Sequence, residues 1–202
     1  MKKKTLMSIV LLAIIGTSAV LAQAPTLDKL YFQLNTGKDE DGGYQVRPAD
    51  DKTKRTGDIV IPDTYNGKPV TRIYGIATGN PNITSVIIPN SVTLIGANAF
   101  YGATGLTSIT IPASLTTIDR TAFTGNKNLT SVTFLGSGTK LEETDKPTTT
   151  MPSFPGDLGA KYKAGGAGTY TRDVDGKVWT KKGGVALCPT CGQPLPAGFK
   201  LP

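Results

Sequence analysis

The 202-residue chain carries 22 basic and 15 acidic side chains, no histidine and two cysteines, for a formal charge of +7. The missing histidine removes histidine-activated nucleophiles, histidine acid–base catalysis and histidine metal sites together. The positive charge is not gathered into the one basic face that nucleic acid requires, since residues 59–134 hold only Lys68, Arg72, Arg120 and Lys127 against Asp63 and Asp119.

Lys2, Lys3 and Lys4 precede an apolar run from Leu6 to Leu21, followed by small residues at Ala22 and Ala24. That order is a secretory signal peptide over residues 1–22, so the chain is expected to be exported. The run is too short for a stable membrane span, and the mature chain is expected to have none. Losing three lysines takes the +7 to about +4. Next, residues 30–34 and 44–47 read as two strands joined by a polar loop, a capping hairpin within residues 25–55. Asp39, Glu40 and Asp41 in that loop lack the alternating ligands of an EF-hand and read as a solvated charged turn.

Between Ile83 and Phe134 the chain repeats with a period of about 23 residues. Ile83-Thr-Ser-Val86-Ile-Ile88-Pro89 returns as Leu106-Thr-Ser-Ile109-Thr-Ile111-Pro112 and as Leu129-Thr-Ser-Val132-Thr-Phe134, with Val92/Ile95, Leu115/Ile118, Phe100 and Phe123 recurring between. Such a period marks a β-rich solenoid, whose units bury their apolar faces only by stacking on neighbours. A degenerate first unit begins near Thr56, with an inserted turn at Tyr65–Lys68, and the array is expected over residues 56–141. Positions one, four and six of each strand motif point inward. Pro89 and Pro112 end their strands, and Gly102 and Gly125 lie in closing turns. The remaining positions form three outward columns: Thr84, Thr107, Thr130; Ser85, Ser108, Ser131; and Val60, Ile87, Thr110, Thr133. These columns are the candidate binding face; the alternative is that Thr and Ser simply suit exposed strand positions.

Residues 142–153 read as a linker, and Glu142, Glu143 and Asp145 there have no scaffold to act as a catalytic carboxylate pair. Residues 154–182 predict a small α+β unit: a helix with Asp157 as N-cap, stopped by Gly165-Gly166, then a hairpin turning at Asp175-Gly176. That register sets Arg172 against Trp179 as a cation–π pair. Trp179 and Tyr170 read as packing residues, with sugar binding as the alternative. Residues 183–202 form a Pro/Gly-rich tail holding Cys188-Pro-Thr-Cys191. These two thiols fit a local disulfide, or zinc shared between two chains since one chain offers only two ligands, or a thiol–disulfide exchange site.

The motif Ile-Pro-x-Ser-Val/Leu-Thr-x-Ile-Gly/Asp-x-x-Ala-Phe-x-Gly, at 88–102 and again at 111–125, resembles the BspA-like, treponemal-type leucine-rich repeat. Thr64–Val70 resembles the opening unit of such arrays, and residues 154–181 resemble a tail that follows them. The resemblance implies a short leucine-rich-repeat array in an exported bacterial protein, at the cell surface or secreted, with the periplasm as the alternative. It further implies adhesion to host matrix proteins or to other bacterial surface proteins, with no enzyme activity and no cofactor. The runner-up is an envelope structural protein dimerised through Cys188 and Cys191; the oligomeric state is open.

Overall fold

The structure, a computed structural model, describes residues 30–35, 41–48, 56–142, 153–174 and 176–183. The expected signal segment, Asp39, Glu40, Glu143, Asp145, Asp175, Cys188 and Cys191 lie outside the described residues.

A hairpin of β1 (Leu30–Leu34) and β2 (Tyr44–Pro48) comes first. Then the chain winds through about four coils, the β-solenoid expected from the period. The first coil holds β3 (Gly57–Val60), β4 (Thr64–Tyr65) and β5 (Lys68–Ile73). The second holds β6 (Ile83–Ile87) and β7 (Leu94–Ile95), the third β8 (Ser108–Ile111) and β9 (Thr117–Ile118), and the fourth β10 (Ser131–Phe134) and β11 (Lys140–Leu141). Helix α1 (Leu158–Gly165) and strands β12 (Gly168–Thr171) and β13 (Thr180–Gly183) follow.

Each coil contributes one strand to a front wall (β3, β6, β8, β10) and one to a back wall (β5, β7, β9, β11). The back wall is one continuous sheet in the order β1-β2-β5-β7-β9-β11, with β4 on the side of β5. The N-terminal hairpin is therefore its first rungs, since β2 runs parallel to β5. Between the walls the inward positions are buried as the repeat requires: Ile83, Leu106 and Leu129 in one layer, Val86, Ile109 and Val132 in the next. Ile88 departs from the pattern and is only half-buried, whereas its counterparts Ile111 and Phe134 are enclosed.

The third side of each coil is held by backbone and rings together. Phe100 N–H donates to the Ala122 carbonyl at 2.8 Å, and Phe123 N–H donates to the Ser153 carbonyl at 3.0 Å. The Phe100 and Phe123 rings stack at 4.9 Å, and Phe123 and Phe154 at 4.4 Å. Phe154 thus takes the next place in the phenylalanine stack although it follows Phe123 by 31 residues and not 23. At the adjoining corner Gly79, Gly102 and Gly125 adopt left-handed φ of 64°, 62° and 80° directly over one another, which only glycine does without strain.

The C-terminal unit closes the array by supplying partners to its last coil. β12 runs antiparallel to β10, pairing Thr171 with Ser131 and Gly168 with Phe134. Arg172 is buried, and its guanidinium donates to the carbonyls of Leu129 at 2.8 Å, Lys127 at 2.7 Å and Asn126 at 3.2 Å, and also to Gly176. It lies 5.3 Å from the Trp179 ring, as the register predicted, but residues 172 and 179 sit beyond the ladder, which ends at Thr171–Thr180. Gly176 N–H donates to the Asp173 carbonyl, and the ladder ends at Thr171–Thr180, so the strands are not joined directly by the expected two-residue turn at Asp175-Gly176. Asp157 does occupy the N-cap, yet its carboxylate accepts from Trp179 N–H at 2.7 Å and caps no helix amide. Gly166 ends the helix as expected, its N–H donating to the Tyr162 carbonyl.

Asp41 is a second departure. It is exposed, as a turn charge would be, but it also accepts from the Asn35 amide at 2.7 Å, the Thr71 hydroxyl at 2.7 Å, Gly43 N–H at 3.0 Å and Arg72 Nε at 3.4 Å. It therefore ties the hairpin to β5. Burial alone would raise this carboxyl, but the hydrogen bonds from Asn35, Thr71, Gly43 and Arg72 outweigh it and hold the pKa at about 2 instead of 3.8.

Phe123→Ala opens a hole between two stacked rings and is expected to cost about 3–5 kcal/mol in urea unfolding. Asp41, depressed in the folded state, stabilises the protein above its unfolded value, and that contribution is lost as pH falls from 3.8 to about 2. Asp41→Asn should lower the melting temperature at neutral pH and flatten its acid decline across that window; an unchanged acid profile would contradict the assignment.

Candidate interaction face

Six of the outward front-wall residues converge on one place. Ser85 and Ile87 from β6, Ser108 and Thr110 from β8, and Ser131 and Thr133 from β10 line a shallow cleft of about 490 Å³. Their register is fixed by the ladder, which sets Ser131 beside Ser108 and Thr133 beside Thr110. No lining residue is ionisable, and Ile87 is 56% exposed there. The cleft therefore offers hydroxyl groups and a small apolar patch without charge.

The other expected residues lie outside it. Val60 pairs beside Ile87 but does not line the cleft. Thr84, Thr107 and Thr130 form the column nearest the incoming turn. There the Thr84 hydroxyl donates to Asp58 at 3.4 Å, and the Thr130 hydroxyl donates to the Thr107 carbonyl at 3.4 Å. Two outward positions separate the first two inward ones, and only the second of them stands on the regular pleat.

The front wall, unlike the back, is split. β3 pairs with β6 and β8 with β10, but among the described residues no hydrogen bond joins β6 to β8. The back strands of the same coils are joined throughout, Arg72 to Leu94, Leu94 to Thr117 and Thr117 to Lys140. Coils two and three are thus clamped behind and parted in front. They meet where the front strands begin: a Cβ on Gly105 would stand 2.1 Å from the Pro81 carbonyl oxygen. Beyond that contact no ladder joins β6 to β8, and Ile88 at the end of this stretch is half-buried.

Alternation identifies the backbone groups that face the parting. Ile61 N–H donates to the Ile87 carbonyl and Leu135 N–H to the Ile111 carbonyl, so Ile87 turns toward β3 and Ile111 toward β10. Val86 and Ile88 then turn their peptide groups toward β8, and Ser108 and Thr110 turn theirs toward β6. Among the described residues those groups have no ladder partner, and all four residues line the cleft.

Sequence reasoning missed the far side of this face. β12 and β13 extend the β8–β10 ladder, and the Thr169 hydroxyl meets that of Thr133 at 3.0 Å. The alternation Thr169-Tyr170-Thr171 carried the signal, with the tyrosine inward. Tyr170 and Trp179 are both enclosed, which removes them as sugar-stacking platforms. Burial first, and the neighbouring Tyr162 second, raise the Tyr170 phenol above its usual pKa; it stays neutral and donates to the Gly166 carbonyl at 2.7 Å.

Residues 71–144 match the BspA type leucine-rich repeat region in six copies, so the resemblance carried by the motifs holds. Among solved structures, a leucine-rich repeat protein from Bacteroides ovatus is similar at 27% identity with a TM-score of 0.42, over 52% of this chain and 28% of that one. A leucine-rich repeat protein of T. pallidum is similar at 15% identity with a TM-score of 0.27, over 55% of this chain and 81% of that one. This chain thus spans less than a third of the Bacteroides protein's length. No curated protein matches the chain closely. Among the described residues no helix is long and apolar enough to cross a membrane.

The parted front wall is expected to show in amide exchange followed by NMR. Val86, Ile88, Ser108 and Thr110 amides should exchange well ahead of the laddered Ile109, Ile111 and Val132 amides. Equal protection in both groups would mean that β6 and β8 are joined.

Proposed function

We propose, on the strength of a BspA-type leucine-rich repeat region at residues 71–144, that this chain is an exported, non-enzymatic interaction module acting at the cell surface or in the medium. Its partner is a protein, of the host matrix or of another bacterial surface, and its contact site is the front-wall cleft. One observation carries the reading: outward side chains from three successive coils converge on a single uncharged cleft.

Repeat solenoids work by presenting such extended, preformed surfaces, and a surface held by ladder hydrogen bonds loses little entropy on binding. The absence of charge in the lining selects against strongly acidic or basic partners, because a desolvated charge with no counterpart weakens a complex. Four coils make a small face, so useful adhesion arises from many copies acting together. The export reading rests on the charged, apolar and small-residue order at the N-terminus.

The test is binding of the purified protein to a panel of immobilised host matrix proteins. Thr110→Lys and Ser131→Lys should each weaken binding by about tenfold or more, which corresponds to about 1.4 kcal/mol. Ala97→Lys, at an exposed position beyond β7 in the back wall, should leave it unchanged. A folded Thr110→Lys protein with full affinity, or loss only in Ala97→Lys, would overturn the assignment of the face.

A further inference from the structure

The inserted turn of the first coil carries a chemistry that the interaction reading does not use. Asn66 and Gly67 are the two central residues of a tight turn whose flanks pair Tyr65 with Lys68 and Thr64 with Pro69. Both are in the left-handed region, with φ of 48° and 75°, as a two-residue turn of this hand requires. Both are exposed, and no atom lies within 4 Å of the point where a Gly67 side chain would begin. Neither the Gly67 N–H nor the Asn66 side chain makes a hydrogen bond among the described residues. Of the eight asparagines in the sequence, Asn66 alone precedes glycine.

We propose that Asn66–Gly67 is a self-modifying site, at which the asparagine converts without an enzyme into aspartate and isoaspartate. Solvent base takes the Gly67 amide proton, and the Gly67 nitrogen attacks Asn66 Cγ. Ammonia leaves, closing a five-membered imide that keeps the original bond from Asn66 C to Gly67 N. Water then opens either carbonyl of the imide. Opening at Cγ restores the normal chain as aspartate, and opening at the backbone carbonyl leaves the chain running through the side chain as isoaspartate. The only co-reactant is water, and nothing is oxidised or reduced.

Three features single out this site. A glycine nitrogen has no β-carbon beside it to hinder ring closure, whereas the other asparagines precede Thr, Pro, Ile, Ser, Ala, Lys or Leu. Four of the other asparagine side chains are held as well: Asn35 by Asp41 and Thr71, Asn80 by Asn82 N–H, Asn126 by Ala103 N–H and Asn128 by the Thr104 carbonyl. Finally, the turn is anchored by a ladder of only two residue pairs. It can therefore leave the left-handed conformation, in which the two reacting atoms are not aligned, without unfolding the coil. The product matters to the fold. Isoaspartate adds a backbone atom to a two-residue turn and places a carboxylate beside Lys68. Tyr65, stacked on Phe32 at 4.2 Å and edge-on to Tyr44 at 5.1 Å, is the residue that the lengthened turn displaces from the cap.

The test incubates the full chain at mildly alkaline pH and follows every asparagine by peptide mapping, with chromatography separating the aspartate and isoaspartate forms. The synthetic peptide Thr-Tyr-Asn-Gly-Lys-Pro serves as the reference. The expected result is conversion at Asn66 ahead of the other asparagines, as two product forms, and none at that position in Asn66→Gln. An Asn66 that stays intact while the reference peptide converts would overturn the proposal, as would earlier conversion at any other asparagine.

Discussion

The apolar face of every coil in this array is covered only by the coil beside it. A 23-residue unit has room for two short strands and a corner, too little to enclose the inward residues of its two walls, which stay open above and below until neighbours stack on them. Burial is therefore coupled to register: a coil that slipped by one residue would turn its inward set to solvent and misplace its corner phenylalanine at once. The backbone ladders of the back wall, the ring stack Phe100–Phe123–Phe154 and the glycine column are three expressions of that one constraint.

A stack with this logic has two raw ends, and the chain closes each with a different chemistry. At the beginning, the β1–β2 hairpin joins the back wall and Asp41 gathers donors from hairpin, loop and first coil. At the end, β12 lays an antiparallel strand along β10, Phe154 fills the next place in the stack, and Arg172 collects carbonyls of the last coil at Asn126, Lys127 and Leu129. Around the buried guanidinium the oxygen dipoles of those carbonyls and the face of the Trp179 indole supply an opposing potential.

The solenoid, its period, its inward residues and its capping hairpin were legible because each is written as periodicity, and periodicity is local. What was not legible depended on pairs distant in the chain. Asp41 looks like a loop charge until Thr71 and Arg72, thirty and thirty-one residues on, are brought to it by the β2–β5 ladder. The C-terminal hairpin was readable as a hairpin, but not as the continuation of the front wall, since an antiparallel strand borrows a ladder without repeating its motif. The three outward columns were correctly read as facing away from the core. Their division into two that reach the cleft, Val60 excepted, and one that borders the turn depends on where the pleat becomes regular. The parting between β6 and β8 left no mark at all, because the two repeats that flank it are nearly identical in sequence.

That parting gives the short array a particular character as a surface. A uniform ladder would present hydroxyl groups alone, whereas here the peptide groups of two strand edges are open beside Ile87 and the serine column. The proposed role joins this face to export: a recognition surface of modest area, displayed in number outside the cell. The direct measurement is protease shaving of intact cells against a lysed control, with mass spectrometry of peptides from residues 56–141. Release of those peptides from intact cells is the result the account predicts; release only after lysis would contradict it.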